Sequence, residues 1–200
     1  MVGRAAALYC TSSVVGMSQK YNQWLPAVIL QMVILVTGIT GSGKTTVGRL
    51  LAERLHWAFA DADDFHSTPN KEKMSHGIAL TDEDRGPWLA AIRDQIWSWI
   101  GAKKNGVITC SALKQSYRDL LFSPPSGAIG DPGEIKIVFL RGTYALIAER
   151  VRSRHGHFAD ETLLPSQFAA LEEPSDAVTV EIDQTPGQIV DEAMRRLRLL

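Results

Sequence analysis

Between residues 33 and 55 the chain runs VILVTGITGSGKTTVGRLLAERL. The opening VILVT is short, rich in β-branched residues and without alternation, as suits a strand buried on both faces of a parallel sheet. A glycine-rich turn follows. Val47, Leu50, Leu51 and Leu55 then recur at helical spacing. The turn itself, GITGSGKT at 38–45, matches G-x-x-x-x-G-K-[ST] in every fixed position. Glycines there let the backbone curl so that its N–H groups converge on phosphate oxygens, and the next helix aims its positive end at the same anions. Lys44 supplies a point charge for the β- and γ-phosphates, and Thr45 a hydroxyl for magnesium. Gly38, Thr40, Gly41, Ser42, Gly43, Lys44, Thr45 and Thr46 are the expected contacts of ATP, with Mg2+ as its companion ion.

The remaining pattern agrees with that start. AFADAD (58–63), GVITCSA (106–112), IKIVFLRG (135–142) and AVTVEID (177–183) read as strands. PWLAAIRDQIWSWI (87–100), with Pro87 placed in its first turn, KQSYRDLLF (114–122), TYALIAERVRSR (143–154) and GQIVDEAMRRLRLL (187–200) read as helices. Strand and helix alternate five times, which predicts an α/β three-layer sandwich around a five-stranded parallel sheet. SPPSGAIGDPGE (123–134) reads as a surface loop. Residues 155–175 lack a strong period between two core elements, and a mobile lid is expected at about 150–175.

Two hundred residues suffice for one such domain. With 21 basic against 22 acidic residues there is no general electrostatic footprint for nucleic acid. The two cysteines, Cys10 and Cys110, form no metal spacing and favour a reducing, cytoplasmic setting. Residues 1–31 stand apart from the domain at 32–200. They carry Arg4 and Lys20 but no acid, and read as a disordered extension, as upstream of a start at Met17 or Met32, or as a mitochondrial transit segment. The run VILQMVILV (28–36) is too short to span a bilayer.

The second informative stretch is DADDFHSTPNKEKM, 61–74. No NKxD motif for guanine is present, and Ser111 stands at the end of the third strand where an acid could have served the metal. Asp61, closing the second strand beside the phosphate-loop strand, is the expected magnesium partner. Asp63 follows by two residues. If the strand continues, both carboxylates point the same way, and Asp63 is placed to accept a proton from an attacking hydroxyl. His66 either binds a polyol or caps a turn. Lys114 and Arg118, spaced i and i+4, and Arg85 either clamp an anionic acceptor or stand as solvated charges. Arg150 and Arg154 share the same spacing at the lid entrance, as suits phosphate neutralisation or a surface helix. His155 and His157 have no metal-ligand pattern.

GITGSGKTTVG, DADDFHSTPNKEKMSHGIALTDEDRGPWL, CSALKQSYRDLL and GHFADETLLPSQFAALEEP occur in this order. Together they resemble the gluconokinases of the P-loop type over about 33–200. The resemblance implies a P-loop kinase fold with a helical lid, and transfer of the ATP γ-phosphate to the terminal hydroxyl of D-gluconate. It implies that Asp63 is the base and His66 a polyol partner, and that Lys73, Arg85, Lys114 and Arg118 line the gluconate side. It also implies that Arg150, Arg154 and Gln167 are lid residues closing over the substrates, with Arg154 catalytic, and that the chain forms a homodimer. A shikimate-type or nucleotide kinase is the closest rival, although CSALK stands where a glycine-triplet acceptor loop would be. A nucleotide-binding regulator without catalysis is the rival from another class.

Overall fold

The computed structural model describes residues 31–153 and 161–200. Five strands form one parallel sheet: β1 (Val33–Thr37), β2 (Ala58–Asp61), β3 (Gly106–Thr109), β4 (Ile135–Arg141) and β5 (Val178–Glu181), in the order β2-β3-β1-β4-β5. Seven α-helices join them among the described residues: α1 (Lys44–Leu55), α2 (Thr68–Ser75), α3 (Asp82–Gly101), α4 (Gln115–Phe122), α5 (Tyr144–Ser153), α6 (Leu164–Ala170) and α7 (Pro186–Arg196). The expected three layers are present. Ile34 and Val36 of β1 pack into a core with Val47, Leu51, Ile147, Ile189 and Val190 on one face. Val33 and Leu35 pack against Leu89, Ile92, Ile96 and Leu121 on the other. All five β1 residues are buried, which explains the unbroken apolar run. The compact unit that holds the sheet spans Gln31–Leu200, and the Gln31 Nε2 donates to the Ile100 carbonyl.

Four local expectations change. β3 pairs with both β1 and β2, so β2 does not lie beside the phosphate-loop strand. Strand order is a tertiary property, and alternation of elements along the chain leaves it open. β2 ends at Asp61, and Ala62–Phe65 form a 3-10 turn rather than more strand. α3 starts at Asp82, because Thr81 and Asp84 form a reciprocal capping box, and Pro87 lies inside the helix rather than in its first turn. The N–H that Pro87 lacks would have served Glu83, which is exposed to solvent. α2 has almost no apolar stripe, and its signals are the Ser67 cap and the proline at its start. In the region read as a lid, the described part contains α6, with Leu164 fully buried. Arg154, His155 and His157 lie outside the described residues, as does nearly all of the N-terminal extension.

Among the described residues no helix is long and apolar enough to cross a membrane.

Candidate active site

The phosphate loop joins β1 to α1 at the carboxyl edge of the sheet, where ligands of open parallel sheets bind. Gly43 is the N-cap of α1 at φ 94°, and no side chain caps the helix. The positive end of α1 is therefore presented to the loop rather than to a protein carboxylate. Gly41 is also left-handed, at φ 89°, and a Cβ there would stand 2.7 Å from Val151 Cγ2 on α5. Both positions thus require glycine. Lys44 Nζ donates to the Ile39 carbonyl at 3.2 Å, which folds the side chain back over the loop.

Although β3 separates β2 from β1, Asp61 still reaches the loop, because all five parallel strands end on one edge. Its Oδ2 accepts from the Thr45 hydroxyl at 2.7 Å. Its Oδ1 accepts from the Asp63 N–H at 3.2 Å, capping the 3-10 turn. One carboxylate thus holds both the expected metal hydroxyl and the backbone of the expected base. A hydroxyl and a carboxylate beside a phosphate cradle are the donor set that Mg2+ takes with a nucleotide. Thr45 and Asp61 are the residues here that would hold it.

Asp63 is placed by the turn instead of by strand alternation. Its side chain is exposed, yet protein crowding around the cleft pushes its carboxyl up, and the neighbouring charge of Asp61 adds to this. Lys44 lies close enough to pull in the opposite direction. A carboxylate of raised basicity is better suited to accept a proton.

His66 ends the same turn. Its ring stacks on Trp88 with centroids 4.4 Å apart and planes 6° from parallel. Trp88 is itself fixed by Nε1 donating to the Ala62 carbonyl at 2.7 Å. Burial, then the charges of Lys71 and Arg85, lowers the imidazole to about 4, and its buried Nδ1 has no partner. A neutral imidazole can both donate and accept, which suits a hydroxyl ligand.

Three of the expected acceptor-side cations gather on the first turn of α3. Lys73 Nζ donates to Asp84 at 2.8 Å. Asp82 accepts from Arg85 at 3.3 Å, from Lys114 at 3.0 Å and from the Tyr117 hydroxyl at 2.5 Å. These contacts, the Tyr117 hydrogen bond foremost, hold the Asp82 carboxyl below its ordinary range. Asn70 and Tyr117 belong to this region and were missed in the sequence. Asn70 is buried and donates to the Asp84 carbonyl at 2.8 Å. A lone Asn on a helix without an apolar stripe carries no signal of that role.

Arg118 does not join the cluster. It is 1% exposed, whereas Lys114, the N-cap of α4, is partly exposed to solvent and pairs with Asp82. Its guanidinium donates to the carbonyls of Ala112, Leu113 and Glu172 and to Gln115 Oε1, at 2.7–3.1 Å. Four of its five N–H bonds are thus committed within the protein, and its Nε is buried without a partner. In this arrangement the guanidinium braces the β3–α4 turn and is not turned to an open acceptor site. Ala112 needs such support, because its φ of 34° is unfavourable for a residue with a Cβ.

Gln167 meets the phosphate loop. Its Oε1 accepts from the Thr40 N–H at 2.9 Å, and its Nε2 donates to the Thr40 hydroxyl at 3.0 Å. Its amide therefore grips the loop at Thr40. Arg150 donates to the Ile182 carbonyl and lines a cleft of about 210 Å³ with Ser42, Gly43, Thr46, Gln184 and Pro186. This cleft abuts the phosphate loop at Ser42 and Gly43. Gln184 and Pro186 had no sequence signal, because only the sheet brings the β5–α7 turn to α1.

The Shikimate kinase family model matches residues 40–198. A mouse (Mus musculus) protein described as a probable gluconokinase is 40% identical over 179 residues, covering 83% of this chain and 97% of its own. The gluconokinase of Gluconobacter oxydans is 40% identical over 168 residues, covering 82% of this chain and 90% of its own. The crystal structure of a gluconokinase from Sinorhizobium meliloti superposes with a TM-score of 0.74 at 41% identity, covering 85% of this chain and 93% of that one. With the phosphate loop, the Asp61–Thr45 pair and the cations gathered on the first turn of α3 in place, the chain belongs to the gluconokinase family of P-loop kinases.

Proposed function

We propose that the protein transfers the γ-phosphoryl group of ATP to the terminal hydroxyl of D-gluconate, giving 6-phospho-D-gluconate. The observation that carries this is the shared carboxylate of Asp61. It ties the hydroxyl beside the phosphate loop to the turn that presents Asp63. Donor and acceptor groups then meet across one residue pair. Phosphoryl transfer asks mainly for positioning and charge neutralisation.

In this reading Lys44 and the loop N–H groups take the β- and γ-phosphates, and the cleft at Arg150 takes the nucleoside. Thr45 and Asp61 would hold Mg2+, which would supply charge neutralisation at the phosphates. Asp63 accepts the proton of the attacking hydroxyl. Neutral His66 hydrogen-bonds the polyol. Lys73, Arg85 and Lys114 receive the carboxylate end, exchanging their ties to Asp82 and Asp84 for substrate. Gluconate as the acceptor rests on the relatives at about 40% identity, whose names carry it. A homodimer, expected from the family resemblance, and a cytoplasmic setting belong to the same reading, and light scattering after size exclusion tests the former.

The experiment is ADP release by the purified protein with gluconate, shikimate or a nucleoside monophosphate, with and without magnesium. Release is expected only with gluconate and magnesium together. Equal release with either other acceptor sinks the assignment.

A further inference from the structure

Thr40 belongs to the phosphate loop and Lys114 follows the β3–α4 turn, and one short piece of chain touches both loops. At its start, Gln167 grips Thr40 through its backbone N–H and its hydroxyl, across 127 positions of sequence. Leu164, fully buried, anchors the same helix in the core. At its end, Glu172 meets the β3–α4 turn in three ways. Its N–H donates to the Leu113 carbonyl at 2.9 Å. Its Oε2 accepts from the Gln115 N–H. Its carbonyl accepts from buried Arg118 at 2.8 Å, while Arg118 holds the carbonyls of Ala112 and Leu113. The next residue after that turn is Lys114, the cap position of α4.

We infer that Gln167 and Glu172 are positioning residues at the two ends of a strap, residues 167–172, which makes the placement of Lys114 depend on the phosphate loop. The inference rests on the proposed kinase reading for the roles of the two ends.

The physical argument concerns what each contact fixes. A primary amide with both its oxygen and its nitrogen on one threonine leaves little rotational freedom between helix and loop. The turn at Ala112 is strained and needs outside partners to persist. Those partners are Arg118 and Glu172, and Glu172 is five residues from Gln167. A shift of Thr40 on filling the loop therefore moves or tightens the strap, and with it the turn. A shorter connection exists, from the Thr37 hydroxyl to the Ser111 carbonyl at 2.5 Å. Thr37 lies in the buried strand β1, however, and does not report the state of the loop.

The test is amide hydrogen exchange on the full chain, with a non-hydrolysable ATP analogue and magnesium as the probe. In the unaltered protein, saturating analogue is expected to slow exchange across residues 113–122 by about fivefold or more, the lower end of ordinary coupling between sites. In Gln167→Ala, analogue at saturation should protect the phosphate loop but leave residues 113–122 within about twofold of the free protein. Thr40→Val, which removes only the hydroxyl partner, should fall between the two. A second measurement titrates gluconate by calorimetry with and without the analogue, and tightening by the analogue should be lost in Gln167→Ala. Protection of 113–122 without any gluconate binding would leave the strap standing and remove the acceptor assignment. Unchanged exchange at 113–122 in the unaltered protein, or equal protection in Gln167→Ala, overturns the strap.

Discussion

Replacing Arg118 separates a structural arginine from a substrate clamp. Arg118→Met keeps most of the side-chain length and removes the guanidinium. Three backbone carbonyls, those of Ala112, Leu113 and Glu172, then lose a donor in a region the side chain itself seals, being 1% exposed. The Leu113 carbonyl keeps the Glu172 N–H, so two carbonyls are left unpaired. An unpaired buried carbonyl costs about 1–3 kcal/mol, and the low end applies to carbonyls that keep some freedom to relax, so the loss is about 2 kcal/mol. For a chain of this size each kcal/mol moves the melting temperature by about 2–4 °C, which gives a fall of about 4–8 °C. Arg118→Lys keeps the charge but cannot fork to several carbonyls, and should fall less. Thermal unfolding followed by circular dichroism measures the effect, alongside the KM for gluconate. A clamp would raise KM and leave the melting temperature alone. Arg118→Met that melts with the unaltered protein would refute the reasoning.

Asp63→Asn is expected to lower turnover by about 10²–10⁴-fold. Because the folded protein holds the Asp63 carboxyl above its ordinary value, ionisation works against folding as pH rises through that value. The ligand-free Asn variant should therefore melt higher than the unaltered protein at neutral pH, and a lower melting point would contradict this. His66 is lowered to about 4 in the fold, against about 6.5 when unfolded, so the unfolded chain binds the extra proton first. Stability held at neutral pH should be lost as pH falls from 6.5 toward 4, with a shallower slope in His66→Phe, and parallel urea-midpoint curves would count against it. Thr45→Val, which removes the hydroxyl bonded to Asp61, should raise the magnesium needed for half-maximal rate about tenfold, equivalent to ~1.4 kcal/mol. An unchanged magnesium curve would take Thr45 out of the metal site.

The parts of the site that were legible in the sequence are those whose chemistry is local. GITGSGKT needs only its own glycines and the helix after it. The five strands announce themselves because each is a short apolar run between breakers. Lys73, Arg85 and Lys114 converge on the first turn of α3, where each sits on a carboxylate. What stayed hidden depends on contacts distant along the chain. The insertion of β3 between β1 and β2 is a choice of neighbours, which periodicity does not encode. Arg118 reads as a surface cation until Glu172 arrives to cover it, and Gln167 has no period or charge to mark its grip on Thr40. The turn at 62–65 defeated alternation because the side chain of Asp61 caps its own chain two residues on.

The bond from Arg118 to Glu172 also sets an order of events in folding. Arg118 leaves the ribosome 54 residues before the carbonyl it needs. Until then β3 and α4 can form, but burying the guanidinium would desolvate a charge with part of its bonding unmet. The acceptor side of the cleft should therefore close last, after α6 has docked, since contacts this distant in sequence form late and slowly. A nascent chain halted before residue 172 would hold a folded phosphate loop beside an open β3–α4 turn, and a protease would cut it there first.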